Sequence, residues 1–188
     1  MTRIVAGAAG GRRLQVPPKG TRPTSDRVRE ALFSSLETFL DLDGAHVLDL
    51  YAGSGALGFE ALSRGAATAT LVESDRRAAD VLRANAASLR LPGATVLHRP
   101  AEVVVAAPPE RPCDLVLADP PYAVTDEQLN RVLADLVANG WTAPGTLLVV
   151  ERASRSPEPV WPSPLEPLRG KRYGDTALHW SEHPQARG

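Results

Sequence analysis

One stretch limits what this chain can fold into: Val47-Leu48-Asp49-Leu50-Tyr51-Ala52-Gly53-Ser54-Gly55-Ala56-Leu57-Gly58. Val47, Leu48 and Leu50 suit a strand covered on both faces. Gly53 and Gly55 then let the backbone turn sharply and let a ligand approach, since neither carries a Cβ. A helix beginning just after them aims its positive end at the loop, where a nucleotide or nucleoside is the natural occupant. The next apolar run, Thr70-Leu71-Val72, leads into Glu73, twenty positions after Gly53. An acid at that place can hold a ribose diol. Gly53, Gly55 and Gly58 also match the dinucleotide fingerprint, so NAD fits this much of the pattern. Two features point elsewhere. Asp49, at the strand's end, would repel a pyrophosphate but hold a cationic amino group. Asp119-Pro120-Pro121-Tyr122 follows the apolar run Leu115 to Ala118 and makes a rigid, acceptor-rich, aromatic corner. Open α/β sheets place their chemistry at such strand ends.

Strands and helices alternate around this centre. The patterning predicts strands over 68–73, 94–98, 113–118 and 146–151, and helices over 56–64, 75–90 and 125–138. Alternation of this kind implies a parallel sheet with right-handed crossovers. Upstream, Arg3 to Ala6 and Arg12 to Val16 read as two short strands joined through Gly7, Gly10 and Gly11. Ser25 is a good N-cap for a helix carrying Val28, Leu32, Leu36 and Phe39/Leu40 at helical spacing. Downstream, 154–167 holds five prolines and is a loop rather than a crossover helix. Leu168 to Tyr173 and Thr176 to Trp180, turning at Gly174-Asp175, form a hairpin, so the sheet ends mixed.

Composition matters at three points. At 188 residues and 43% hydrophobic, the chain can bury the core of one domain. It has no run of eighteen apolar residues and no basic-then-apolar leader, so the expected setting is the cytoplasm, with no membrane partner. Cys113 is the single cysteine, and the four histidines lie far apart without ligand spacing, so no metal is expected. The net charge of −1 is unevenly spread. Residues 1–30 hold seven cations against two carboxylates, a net +5, which leaves −6 for the rest. A basic arm on an acidic body is the asymmetry of a phosphate-binding extension.

Five blocks in order carry a specific resemblance. They are Arg3 to Gly7 with Gly11-Arg12 and Leu14; Thr21 to Phe33; Asp49 to Gly55 with Leu57-Gly58 and Glu60 to Ala66; Asp119 to Tyr122; and Lys171 to Thr176. Together they resemble the RsmD family of small-subunit ribosomal RNA guanine-N2 methyltransferases, which are class I S-adenosylmethionine-dependent enzymes. The resemblance implies a Rossmann-like α/β fold: a seven-stranded, mostly parallel sheet with an antiparallel last strand, plus a small N-terminal hairpin-helix extension. It divides the chain into a basic extension over 1–40 and a methyltransferase domain over 41–188. It implies S-adenosylmethionine as cofactor, 16S ribosomal RNA within a small-subunit particle as partner, and a monomer. Asp119, Pro120, Pro121 and Tyr122 become the catalytic corner. Thr24 and Asp26 fall near the methionine end of the cofactor, with Asp49, Tyr51, Ala52, Gly53, Ser54 and Gly55 along the bend. Glu73 and Ser74 fall at the ribose. Such enzymes place an Asp or Asn near the adenine; here the stretch is Arg99-Pro100-Ala101-Glu102, which leaves the Ala101 backbone or Glu102 for that task. Arg12, Arg13, Arg22, Arg27, Lys171, Arg172 and Tyr173 become the RNA contacts. An adenine-N6 or cytosine-N4 enzyme would use the same corner. Outside the fold's methyl-transfer chemistry, an NAD-dependent oxidoreductase and a non-catalytic RNA-binding assembly factor remain open.

Overall fold

The computed structural model describes residues 2–18 and 25–186. A two-residue ladder, β1 (Thr2–Arg3) with β2 (Arg13–Leu14), precedes helix α1 (Asp26–Leu36). Five parallel strands follow: β3 (His46–Leu50), β4 (Thr68–Glu73), β5 (Ala94–His98), β6 (Leu115–Ala118) and β7 (Leu147–Ala153). The chain ends in the hairpin of β8 (Glu166–Tyr173) and β9 (Thr176–Glu182). The order across the sheet is β5-β4-β3-β6-β7-β9-β8, with β9 antiparallel to both of its neighbours. This is the seven-stranded, mostly parallel sheet expected from the sequence. The order reverses between β3 and β6, whose carboxyl ends lie side by side with Leu50 opposite Ala118. Such a switch point opens a crevice beyond the strand ends.

Alternation along each strand feeds two cores. Val47 packs with α2 (Ala56–Ser63) and α3 (Arg76–Leu89) on one face through Phe59, Leu62 and Leu82. Leu48 and Leu50 face the other way, toward α4 (Ala101–Val105) and α5 (Asp126–Ala138). In α5 the residues buried are Leu129, Val132, Leu133 and Leu136, the face set by the sequence periodicity. Its start is fixed by a capping box, Thr125 accepting from Gln128 N while the Gln128 side chain accepts from Thr125 N.

The N-terminal ladder is shorter than the sequence reading, Thr2–Arg3 and Arg13–Leu14 against Arg3 to Ala6 and Arg12 to Val16, and two helices also differ from it. Helix α1 stops at Leu36, short of Phe39 and Leu40. There the Thr38 hydroxyl donates to the Ser35 carbonyl at 2.6 Å, a local bond that competes with continued helix. Phe39 is consequently 58% exposed. Helix α4 is the other helix. Its five residues are too few for a periodic signal, and it starts directly after Pro100, which takes the N-cap position.

The N-terminal segment is fastened to α2 by a buried ion cluster. Glu60, fully buried, accepts from Val5 N and Ala6 N and from the side chains of Arg29 and Arg64. The Arg29 guanidinium also donates to the Arg3 carbonyl and pairs with Asp26 at 2.7 Å. Arg29 therefore belongs to the interior, and the basic surface of the arm is smaller than its formal charge. Ile4, Leu14, Leu32 and Phe33 share one core with Val47 and Phe59. Among the described residues, no helix is long and apolar enough to cross a membrane.

Candidate active site

The turn after β3 is wired before any ligand arrives. Tyr51 takes a left-handed conformation, φ 59°, unusual for a residue with a Cβ and a feature that clusters at functional sites. Gly53 (φ 58°) has open space where a Cβ would stand. Gly55 is needed for a different reason: with φ 86°, a Cβ there would come within 2.3 Å of the Phe59 ring and 2.6 Å of Leu82. It seats α2 against α3 and is not part of the cavity wall. Gly58 sits against Leu71 and Asp49, and its N–H donates to Asp49 Oδ2 at 2.9 Å.

Two carboxylates close the bend from below. Glu73, 9% exposed, accepts from Gly53 N through Oε1 and from Asp75 N through Oε2, both at 2.9 Å. It thus ties the glycine turn to the start of α3. Asp49 is buried, and its second oxygen, Oδ1, has no hydrogen-bond partner among the described residues. Burial pushes its pKa up to about 7; the Gly58 N–H works against that rise and the nearby Glu73 charge adds to it. An unsatisfied buried carboxylate oxygen is a strong demand for a cation or a donor. The Tyr51 phenol is pushed up to about 12, first by burial and then by Glu102, with Arg152 opposing, so it stays protonated at neutral pH.

One cavity of about 500 Å³ joins this bend to the corner after β6. Asp49, Tyr51, Ala52, Gly53, Ser54, Glu73 and Ser74 line one side. Asp119, Pro120, Pro121 and Tyr122 line the other, and Tyr122 is 76% exposed. The backbone N–H of Asp119 bonds Leu50 O at 3.4 Å, which couples the corner to the end of β3. The β8–β9 turn closes a third side with Tyr173, Asp175 and Thr176. Arg152 braces the corner's far end, donating to Val124 O at 3.3 Å and Asp126 at 2.6 Å.

Other residues named from the sequence lie elsewhere. Asp26 lies in the first turn of α1, just after the N-cap Ser25, and pairs with Arg29 and Arg3, while its neighbours Ser25 and Val28 line the cavity. Ala101 is buried as the first residue of α4 and does not line the cavity; neither does Glu102. The Arg12 guanidinium donates to the Ser88 carbonyl at 2.7 Å, near the end of α3. Arg13, Arg27, Lys171 and Arg172 are exposed on the surface. Arg22 and Thr24 lie outside the described residues. Cavity residues that sequence reasoning missed include Ser25, Glu151, Ser156, Asp175 and Thr176. Asp175 and Thr176 could have been found from their place in the hairpin turn; Ser156 sits in a proline-rich loop with no pattern to flag it. The Cys113 thiol is pushed up to about 12 by burial and then by Asp114.

The sheet order, the antiparallel β9 and the cavity shared by a glycine bend and an acceptor-rich corner define a Rossmann-like methyltransferase. The chain belongs to the family described as conserved hypothetical protein 95, whose model matches residues 2–182. Its relatives include "Ribosomal RNA small subunit methyltransferase D" of Escherichia coli K12, 42% identical over 178 residues, which cover 93% of this chain and 86% of that one. The protein of the same name from Haemophilus influenzae is 36% identical over 82% of this chain and 80% of its own. A solved structure, "Putative methyltransferase yhhF" from Escherichia coli, superposes with a TM-score of 0.85 at 37% identity and covers 98% of both chains. The family expected from the five sequence blocks is therefore the one found.

Proposed function

We propose that the protein methylates the exocyclic N2 of a guanine in small-subunit ribosomal RNA, using S-adenosylmethionine. The observation that carries the proposal is the single cavity holding both an unsatisfied buried carboxylate, at Asp49, and the Asp119–Tyr122 corner. The names of the relatives supply the substrate class. The residues present fit the cofactor. Asp49 Oδ1 offers a buried acceptor to an ammonium group, and Gly53 leaves room for a ligand to lie against the backbone. Each Glu73 oxygen keeps a lone pair beyond its backbone bond, so the same carboxylate can accept from a ribose diol.

When bound, the cofactor supplies an electrophilic methyl group on a sulfonium. The chain supplies position. An exocyclic amine is a poor nucleophile because its lone pair is delocalised into the ring. Asp119 and the Pro120 carbonyl are two acceptors that hold both N–H groups, so that the lone pair turns out of the ring plane toward the methyl. Pro121 stiffens the corner, having a fixed φ and no N–H. Tyr122, projecting into solvent, stacks on a base extruded from its surroundings. Alignment of this kind accounts for a large part of a rate enhancement, with proximity worth several kcal/mol or more on the order of effective-molarity measurements.

Residues 1–40 act in this reading as the RNA-facing extension. Arg13, Arg27 and Arg172 are exposed there and on the hairpin, and recognition rests on RNA shape as well as the extruded base. The test is transfer of tritiated methyl to small-subunit particles from a strain lacking this gene, with the modified nucleoside identified by mass. N2-methylguanosine is the expected product. N6-methyladenosine or N4-methylcytidine would reassign the base, and no transfer to any RNA would sink the proposal.

A further inference from the structure

A second concavity, of about 390 Å³, lies between the end of α1 and the outer strand β8. Ser35, Phe39, Leu168, Arg169, Lys171 and Trp180 are among its walls, and none of its lining residues is a carboxylate. Phe39 is 58% exposed and rests on Trp180, with ring centroids 5.9 Å apart at 37°. Trp180 is buried, and its Nε1 has no acceptor among the described residues. Lys171 is held in place by donating to the Ser35 hydroxyl at 3.0 Å. Strict alternation would send Leu168 and Arg169 to opposite faces of β8. A register shift between Leu168 and Lys171 breaks that alternation and brings Leu168, Arg169 and Lys171 to one groove.

Basic residues on an edge strand can serve simply to prevent edge-to-edge pairing. That reading does not account for Phe39, a large aromatic resting on a buried indole in a groove that also holds two cations, and left open to water. Exposed rings flanked by cations are how proteins hold unpaired nucleotides, by stacking on the base and neutralising the phosphates. One strand links the groove to the candidate active site. β8 runs from Leu168 in the groove to Tyr173 at the first cavity, five residues or roughly 17 Å at strand spacing.

We propose that this groove is a second RNA site that takes one unpaired nucleotide of the substrate, its base against Phe39 and its phosphates on Arg169 and Lys171. The proposal rests on ribosomal RNA being the substrate, and it adds a contact remote from the reacting base. Remote contacts of this kind set substrate affinity without touching the chemical step.

The experiment uses the full chain and labelled, unmodified small-subunit ribosomal RNA. RNA binding is measured without cofactor, and methyl transfer and S-adenosylmethionine affinity are measured separately. Phe39→Ala is expected to weaken RNA binding about ten-fold, in the range of one lost stacking contact. KM for RNA should rise in step, with kcat and cofactor affinity held. Phe39→Tyr should restore binding and Phe39→Leu should not. Arg169→Ala should flatten the salt dependence by about one phosphate contact. Phe39→Ala binding RNA within two-fold of the parent would overturn the groove while leaving the methyl-transfer reading intact. Full binding by Phe39→Leu would overturn stacking and point to an apolar protein partner instead. A parent chain that binds the RNA but methylates nothing would sink the enzymatic reading and leave the groove standing.

Discussion

The two sides of the main cavity are built on different plans. On the β3–β4 side, the bend's own backbone donors are already committed, and Asp49 Oδ1 is left without a partner among the described residues. Gly53 N, Asp75 N and Gly58 N each have a buried carboxylate acceptor, and the strained φ of Tyr51 is locked between β3 and α2. On the β6 side, Pro121 and Tyr122 stand out in solvent, and stiffness comes from the two prolines, of which Pro120 is buried, and from the Arg152 brace. A small cofactor has little surface with which to organise its own site, so that site must be preformed. A large RNA can bring its own packing surface, so the corner that receives it can stay open. The difference teaches which substitutions should act on binding and which on the chemical step.

The largest effect is expected on the open side. Asp119→Ala removes one of two acceptors proposed for the amino group. Methyl transfer should fall by about a hundred-fold or more, the scale of a misaligned reactant. S-adenosylmethionine affinity, read by calorimetry, should stay close to that of the parent. Normal turnover by the variant would remove Asp119 from the mechanism and erase the contrast between the two sides.

Glu73→Ala tests the closed side. It strands two N–H groups that now share a carboxylate, each worth about 1.5–3 kcal/mol as a charge-assisted bond. Cofactor affinity should drop about ten- to a hundred-fold on that scale, with a lower Tm. Loop support and ribose contact can be separated with a cofactor analogue lacking a ribose hydroxyl. The parent should discriminate against the analogue and Glu73→Ala should not. Discrimination that survives the substitution would limit Glu73 to holding the loop.

Much of this closed side could be read from residue order. The boundaries of β4 and β5, the buried face of α5 and the hairpin all follow from alternation, helical spacing and turn residues. The glycine bend, Asp49 and Glu73 announce themselves by spacing from a strand end. Pairwise commitments were not readable. Gly55 looks like a ligand glycine in the sequence, but its constraint is the Phe59 ring, which only the fold brings near. Arg29 looks like one more cation of a basic arm until Glu60, thirty-one residues on, is seen to bury it. Helix α4 is too short to carry a period, and α1 ends early because of a side-chain bond that no periodicity encodes. Apart from Asp175 and Thr176, which their hairpin turn could have flagged, what sequence missed at the site came from long-range contact or from loops without pattern.

The subtlest prediction sets Asp49 against itself across pH. Its carboxyl titrates near 7 in the folded free chain, because burial outweighs the Gly58 hydrogen bond. An ammonium group binds the carboxylate form. Below pH 7 the carboxyl is mostly protonated and must lose its proton before it can bind, so S-adenosylmethionine affinity should weaken toward about ten-fold per pH unit as pH falls and level off above 7. Stability of the free chain has the opposite sign. Between the ordinary value of 3.8 and about 7, the folded state holds a proton at this position that the unfolded state has released. The Asp49 contribution to stability therefore falls as pH rises through that window and is flat above it. Asp49→Asn should bind cofactor more weakly at pH 8, lose this part of the pH dependence of binding, and be more stable than the parent near neutrality. Calorimetric titrations from pH 5.5 to 8.5, paired with denaturant melts, read both slopes. A parent affinity that stays level through pH 6 would mean that Asp49 is ionised in the free chain, and that the cavity is already furnished with the positive partner assigned here to the cofactor.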